Sequence, residues 1–156
     1  MTSSATTSVS RRVVVGVDGS PDAALALEEA AKEAVMRGAR LDVVHVWHPP
    51  YVVNPIGAVV LLSEEGALHD GAASLLEAIV DGGLAHLDQR PERVEKVLVK
   101  GHNTARILVD VAKEAELLVV GSRGLGGFTG LLLGSVSQQC TRHATCPVLL
   151  VRGPDA

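Results

Sequence analysis
The residues best placed to do chemistry lie between Gly121 and Ser137. The apolar run Leu117-Leu118-Val119-Val120 feeds directly into Gly121, and thirteen residues later Gly134-Ser135 open a predicted helix. Between them stand Ser122, Arg123, Gly124, Gly126, Gly127, Thr129 and Gly130. Loops joining a strand to a helix mostly run about two to six residues, so a glycine-laden loop of this length is more often functional than connective. Glycine lets main-chain N–H groups turn toward an anion with no side chain in the way. A helix N-terminus adds free N–H groups and the positive end of its dipole. The chemistry so implied is a phosphate cradle. A flexible linker would explain the glycines too, but the embedded Leu131-Leu132-Leu133 argues for packing rather than pure flexibility.

A second polar feature, Asp18-Gly19-Ser20-Pro21, closes the β-branched run Val13 to Val17. Asp-Gly is a turn signal in its own right, so Asp18 is either a turn former or a carboxylate aimed at a ligand.

The elements that must position these residues alternate. Val13–Val17 has the unbroken apolar character of a strand buried on both faces. Ser20 is a natural N-cap and Pro21 fits the first helical position. Ala24, Leu27, Ala31 and Val35 then form one helical stripe, which Gly38 stops. Leu41–Val46 is a second strand, and Trp47–Leu62, with Pro49, Pro50 and Pro55, reads as a loop. From Ser63 to about Gln89 the spacing of Leu68, Ala72, Leu75, Leu76 and Ile79 predicts a helix, weakened by Gly66, Gly71, Gly82 and Gly83. Val94–Lys100 has the charged alternation of a strand near a sheet edge. Asn103 caps a helix carrying Ile107, Leu108, Val111 and Ala115. Leu117–Val120, a helix over Ser135–Ala144 with Val136 and Cys140 inward, and a strand over residues 148–151 complete the set. Such alternation means an α/β fold with a mostly parallel sheet and right-handed crossovers. Ligands of these sheets sit beyond the carboxyl ends of the strands, where the strand order reverses. Asp18 and the glycine loop share one crevice if their strands are neighbours.

Two familiar nucleotide motifs fail. Gly121 and Gly126 have Walker A spacing, but Gly127 stands where the lysine is needed. The dinucleotide pattern from Gly124 and Gly126 meets Thr129 in place of its third glycine, and comes late in the chain. What fits is G-x2-G-x9-G-[ST] at Gly121, Gly124, Gly134 and Ser135. With V-G-V-D-G-S near the start, His45-Val46 closing the second strand and C-P-V-L-L-V-R near the end, the chain resembles the universal stress protein family over residues 12–152. Three motifs in register make the resemblance specific.

The resemblance implies an adenine nucleotide alpha hydrolase-like fold: a five-stranded parallel sheet of order 3-2-1-4-5, helices on both faces, binding ATP. It implies that Asp18 accepts hydrogen bonds from the ribose hydroxyls and that Val46 meets the adenine edge through its backbone. Gly121 and Gly124 would let the chain pass close to ribose and phosphates. Gly134, Ser135 and the amide of Val136 would bind phosphates, with Ser137 in the same helical turn to help. Arg123 is a candidate by position only, to neutralise phosphate or to be solvated. A divalent cation, Mg or Mn, would accompany the triphosphate, although no cluster of protein ligands announces it. Relatives often carry aspartate just before the fourth strand, where this chain has Glu116. The resemblance also implies a homodimer through strand 148–151, short, apolar and at the sheet edge.

Bulk properties set outer bounds. The chain has 156 residues, 47% of them apolar and only 2% aromatic, so its core must be built from Val, Leu, Ile and Ala. One nucleotide-binding domain is expected over residues 12–153, after a Ser/Thr-rich disordered tail over 1–11. A formal charge of −4 argues against nucleic acid and anionic membranes as partners. Two cysteines, Cys140 and Cys146, without a CxxC, point to buried free thiols and a reducing compartment. With no signal-peptide pattern and no membrane-length apolar run, the expected location is the cytoplasm. The six histidines show no zinc spacing. The leading expectation is an ATP-binding regulatory domain whose occupancy changes the surface offered to an unknown protein partner. The alternatives are slow ATP hydrolysis or phosphoryl transfer, for which the usual lysine and paired carboxylate are missing, and binding of another adenine nucleotide such as cAMP.

Overall fold
The computed structural model describes residues 11–53, 55–56, 59–61, 64–126, 130 and 132–154. Residues 1–10 of the tail expected over 1–11 and the loop residues Gly127, Thr129 and Leu131 lie outside them. Arg11, assigned above to that tail, instead pairs with Glu116 at 3.3 Å.

Among the described residues seven strands and four helices follow in chain order: β1 (Arg12–Gly16), α1 (Pro21–Arg37), β2 (Arg40–Trp47), β3 (Tyr51–Val53), β4 (Val59–Leu61), α2 (Glu65–Leu84), β5 (Val94–Lys100), α3 (Thr104–Val111), β6 (Leu117–Gly121), α4 (Ser135–His143) and β7 (Val148–Val151). Five strands form one parallel sheet in the order β5-β2-β1-β6-β7. With the small β3–β4 pair set aside, this is the expected 3-2-1-4-5. Chain order reverses at β1, so a crevice opens between the carboxyl ends of β1 and β6.

Strand alternation sends the two sets of side chains into two cores. Val13, Val15, Leu41, Val43, Leu117 and Val119 pack under Ala26, Leu27, Ala30 and Ala34 of α1 and Leu76 and Val80 of α2. Val14, Val44, Leu118 and Val120 pack on the other face against Ala105 and Leu108 of α3 and Cys140 of α4. Burial pushes the Cys140 thiol up to about 11, so it packs there as a neutral apolar group. Both cysteines are free, Cys140 buried and Cys146 only half-buried.

The helix signals act as read. Ser20 accepts the Ala23 N–H at 3.3 Å, and Gly38, at φ 58°, ends α1 in the left-handed conformation. Asn103 accepts the Arg106 N–H at 3.0 Å. Several expectations need correction. Ala24 is exposed, so the buried stripe of α1 runs through Ala23, Leu27, Ala30 and Ala34 instead, and α3 ends at Val111, before Ala115. The segment Trp47–Leu62 is not all loop: Trp47 ends β2, and β3 and β4 pair antiparallel. Its prolines at 49, 50 and 55 fall outside both short β-branched runs, so they do not block pairing. The second helix stops at Leu84, short of Gln89. Leu132 is exposed rather than packed.

Candidate functional site
Each component of the site hangs from a strand end. β1 gives way to Val17 and Asp18, and the Asp18 carboxylate turns back to accept the Ser20 N–H at 2.9 Å. Its other oxygen accepts the Leu125 N–H across the crevice at 3.1 Å. The two distant segments therefore meet, and Asp18 is the residue that joins them. Gly124 sits against the same oxygen: a Cβ there would stand 2.7 Å from Asp18 Oδ2. Any side chain at 124 displaces the carboxylate.

Gly121 is needed for a different contact. An added Cβ would lie 2.8 Å from the backbone carbon of Asp22, so the glycine lets the first turn of α1 rest on the end of β6. Gly134 is different again. Its φ is −73° and an added Cβ would meet nothing closer than 3.5 Å, so neither conformation nor packing demands glycine there. Its N–H donates to the Ser122 carbonyl at 2.7 Å, which sets α4 in place.

The N-terminus of α4 has no side-chain cap. The first turn of a helix leaves its N–H groups without intrahelical partners, and here Ser135, Val136 and Ser137 line the cavity. The Ser137 hydroxyl, however, points inward. It is buried and lies 2.9 Å from the carbonyls of both Ser122 and Gly134, to which it donates. Ser137 therefore braces the turn with its side chain and leaves only its main chain to the cavity.

Two positioning residues escaped the sequence reading. Asp22, buried in the first turn of α1, accepts the Ser122 hydroxyl at 2.7 Å and the Arg123 N–H at 3.1 Å. It fastens the start of the glycine loop to α1. An acid in a first helical turn reads in sequence as a dipole complement, and nothing local reveals a partner one hundred residues away. His45, also buried, places Nδ1 2.9 Å from the Val17 carbonyl and ties β2 to the approach to Asp18.

Val46 stands just past the point where β1 leaves β2. The β1–β2 register ends at Gly16–Val44, with the Val17 N–H donating to the Val44 carbonyl at 2.9 Å. Backbone groups two residues apart on a strand point the same way, so those of Val46 face the gap that β1 has vacated.

These features bound one cavity of about 500 Å³. All nine residues singled out in sequence line it: Asp18, Val46, Gly121, Arg123, Gly124, Gly134, Ser135, Val136 and Ser137. Ser20, Val44, Thr104, Leu108 and Val120 are among the wall residues that the sequence did not single out. The arrangement can hold an anion on main-chain amides, a hydroxylated group on a carboxylate and a flat apolar group between β2 and α3. Among the described residues no group of three or more His, Cys, Asp or Glu side chains gathers to hold a metal.

The fold and the cavity define a class: a doubly wound parallel α/β protein with a ligand crevice at its switch point. The universal stress protein family model matches residues 10–152, and the chain belongs to that family. It is 40% identical over 140 residues to a universal stress protein of Mycolicibacterium smegmatis, covering 90% of this chain and 45% of that one. A universal stress protein of Mycobacterium tuberculosis is 39% identical with the same coverage. The chain thus spans less than half the length of these relatives. Among solved structures it is similar to a universal stress protein in complex with cAMP, with TM-score 0.66, 29% identity, and 91% of this chain and 96% of that one covered.

Proposed function
We propose that this chain binds an adenine nucleotide, ATP in the first instance, and works as a homodimeric, nucleotide-dependent regulatory switch in the cytoplasm. One observation carries the reading: the nine residues singled out by the glycine motif, by the family resemblance and, for Arg123, by position line one cavity large enough for a nucleotide. The phosphates would take the uncapped amides of Ser135, Val136 and Ser137, with the Ser135 hydroxyl as an added donor. Gly134 suits this role because packing does not demand its missing side chain, whereas a phosphate against the turn would. The ribose hydroxyls would compete with the Leu125 N–H for Asp18, loosening the glycine loop. The base would lie along β2 and meet the backbone of Val46. Mg or Mn would be held by phosphate oxygens and water rather than by a protein cage.

Occupancy would then change the surface that a regulatory partner meets, since Leu125 and Leu132 of this loop are exposed. The dimer would form through β7, a half-buried apolar edge strand hydrogen-bonded to β6 on one side. A second reading, a cyclic adenine nucleotide as ligand, is supported by the cAMP complex of the similar protein.

Calorimetry tests the reading. ATP should bind the wild type, and Gly124→Val and Asp18→Ala should each weaken binding at least about tenfold, the effect of losing a charged hydrogen bond. Equal affinity in all three would defeat it. Competition with cAMP ranks the two ligands, and native mass spectrometry of freshly purified protein reports subunit count and retained nucleotide together.

A further inference from the structure
Thr104 is the first residue of α3 and stands half-buried in the cavity wall. Its companions on that wall are apolar: Leu108 one turn along α3, Val44 and Val46 on β2, and Val120 on β6. Leu108 reaches over Gly16, where a Cβ would stand 2.7 Å from its Cδ1, so the wall is closely built.

The hydroxyls around the cavity are not equivalent. Ser20 accepts the Ala23 N–H, and Ser137 donates to two carbonyls. Ser135 lies on the turn that faces the phosphates. Among the described residues the Thr104 hydroxyl has no hydrogen-bond partner. It is therefore an unspent donor and acceptor set in an otherwise apolar surface. The hydroxyl is open to the cavity rather than sealed, so a ligand atom that pairs with it takes the place of water there.

With the phosphates on α4 and the ribose on Asp18, the wall left for the base is that of β2 and α3. We propose that Thr104 is a base-reading residue, its hydroxyl either donating to N7 of the adenine or accepting from the exocyclic amine. The inference rests on the nucleotide reading above and adds a specificity-determining side chain to it.

The test is calorimetry on wild type, Thr104→Val and Thr104→Ser with four probes. These are ATP, its 7-deaza analogue, its 6-deamino analogue and inorganic tripolyphosphate. Thr104→Val, nearly the same shape, should weaken ATP binding about three- to tenfold, the worth of one neutral hydrogen bond, and Thr104→Ser should stay within about twofold. The loss should vanish for whichever analogue lacks the contacted atom, and tripolyphosphate should not distinguish the variants. Unchanged ATP affinity in Thr104→Val overturns the proposal, as does an equal loss across ATP and both analogues, or a loss on tripolyphosphate. If the wild type binds neither ATP nor cAMP, the nucleotide reading fails and this inference falls with it. If the wild type binds and Thr104→Val matches it, only the inference fails.

Discussion

Asp22 shows how much of the site rests on a side chain that faces away from any ligand. It is buried, and its single oxygen Oδ2 receives both the Ser122 hydroxyl and the Arg123 N–H. Ser122 is itself fully buried, so its donor has no water to turn to. Asp22→Ala would leave both donors unpaired and should lower unfolding free energy by about 2–3 kcal/mol, measured by urea titration with an unchanged slope. Asp22→Asn retains an acceptor oxygen and should cost less. A fall of under about 0.5 kcal/mol for the alanine variant would mean that the loop does not depend on this anchor. Asp18 differs in kind: its bonds to the Ser20 and Leu125 N–H groups join the end of β1 to the glycine loop across the crevice.

At the scale of the element, α2 separates the two uses of glycine. Gly71 lies mid-helix with nothing within 4 Å of an added Cβ. Its glycine contributes only backbone freedom, so Gly71→Ala should stabilise by about 0.5–1 kcal/mol. Gly83 faces α1, and a Cβ there would stand 2.5 Å from Leu27 Cδ2, the tip of a fully buried side chain. Gly83→Ala should therefore destabilise by about 1–3 kcal/mol despite the better helix propensity. Thermal unfolding of the pair checks the opposite signs; a gain at both positions would mean that α1 and α2 adjust freely. The β3–β4 pair carries a related lesson. Three prolines made the segment read as loop, yet the two runs Tyr51–Val53 and Val59–Leu61 are short, β-branched and free of proline.

Across the whole molecule, the sheet divides its labour between its two ends. The carboxyl ends of the strands carry the cavity, while the amino ends are held by charge. Asp42 on β2, its side chain 3% exposed, pairs with Arg40 Nε at 2.6 Å and Arg12 Nη1 at 3.2 Å. The guanidinium of Arg12 continues to the carbonyls of Val111 and Lys113 at the end of α3, at 3.2 and 2.8 Å. One buried carboxylate thus joins β1 and β2, and through Arg12 the end of α3. Removing one partner of a buried pair strands the other charge, so Asp42→Ala should cost about 3 kcal/mol. Because this cluster lies at the end of the sheet away from the cavity, nucleotide affinity of the folded variant should be unchanged. Urea titration and calorimetry on the same sample test both halves, and a loss of affinity would couple the two ends.

The alternation of elements, the buried character of the central strands, the caps at Ser20, Asn103 and Gly38, and the spacing of the glycine loop could all be read along the chain. Each is a local pattern, fixed by dihedral preference or by the period of apolar residues. The sheet order and the family came from three motifs matched together, not from periodicity. Tertiary structure alone decided which glycine serves which contact: Gly121 admits α1, Gly124 admits the Asp18 carboxylate, and Gly134 yields to neither. It alone placed Asp22 under Ser122, turned the Ser137 hydroxyl inward and set that of Thr104 in the cavity wall with no partner among the described residues. Those outcomes depend on which residues meet across one hundred positions of chain, and no local propensity encodes a meeting of that kind.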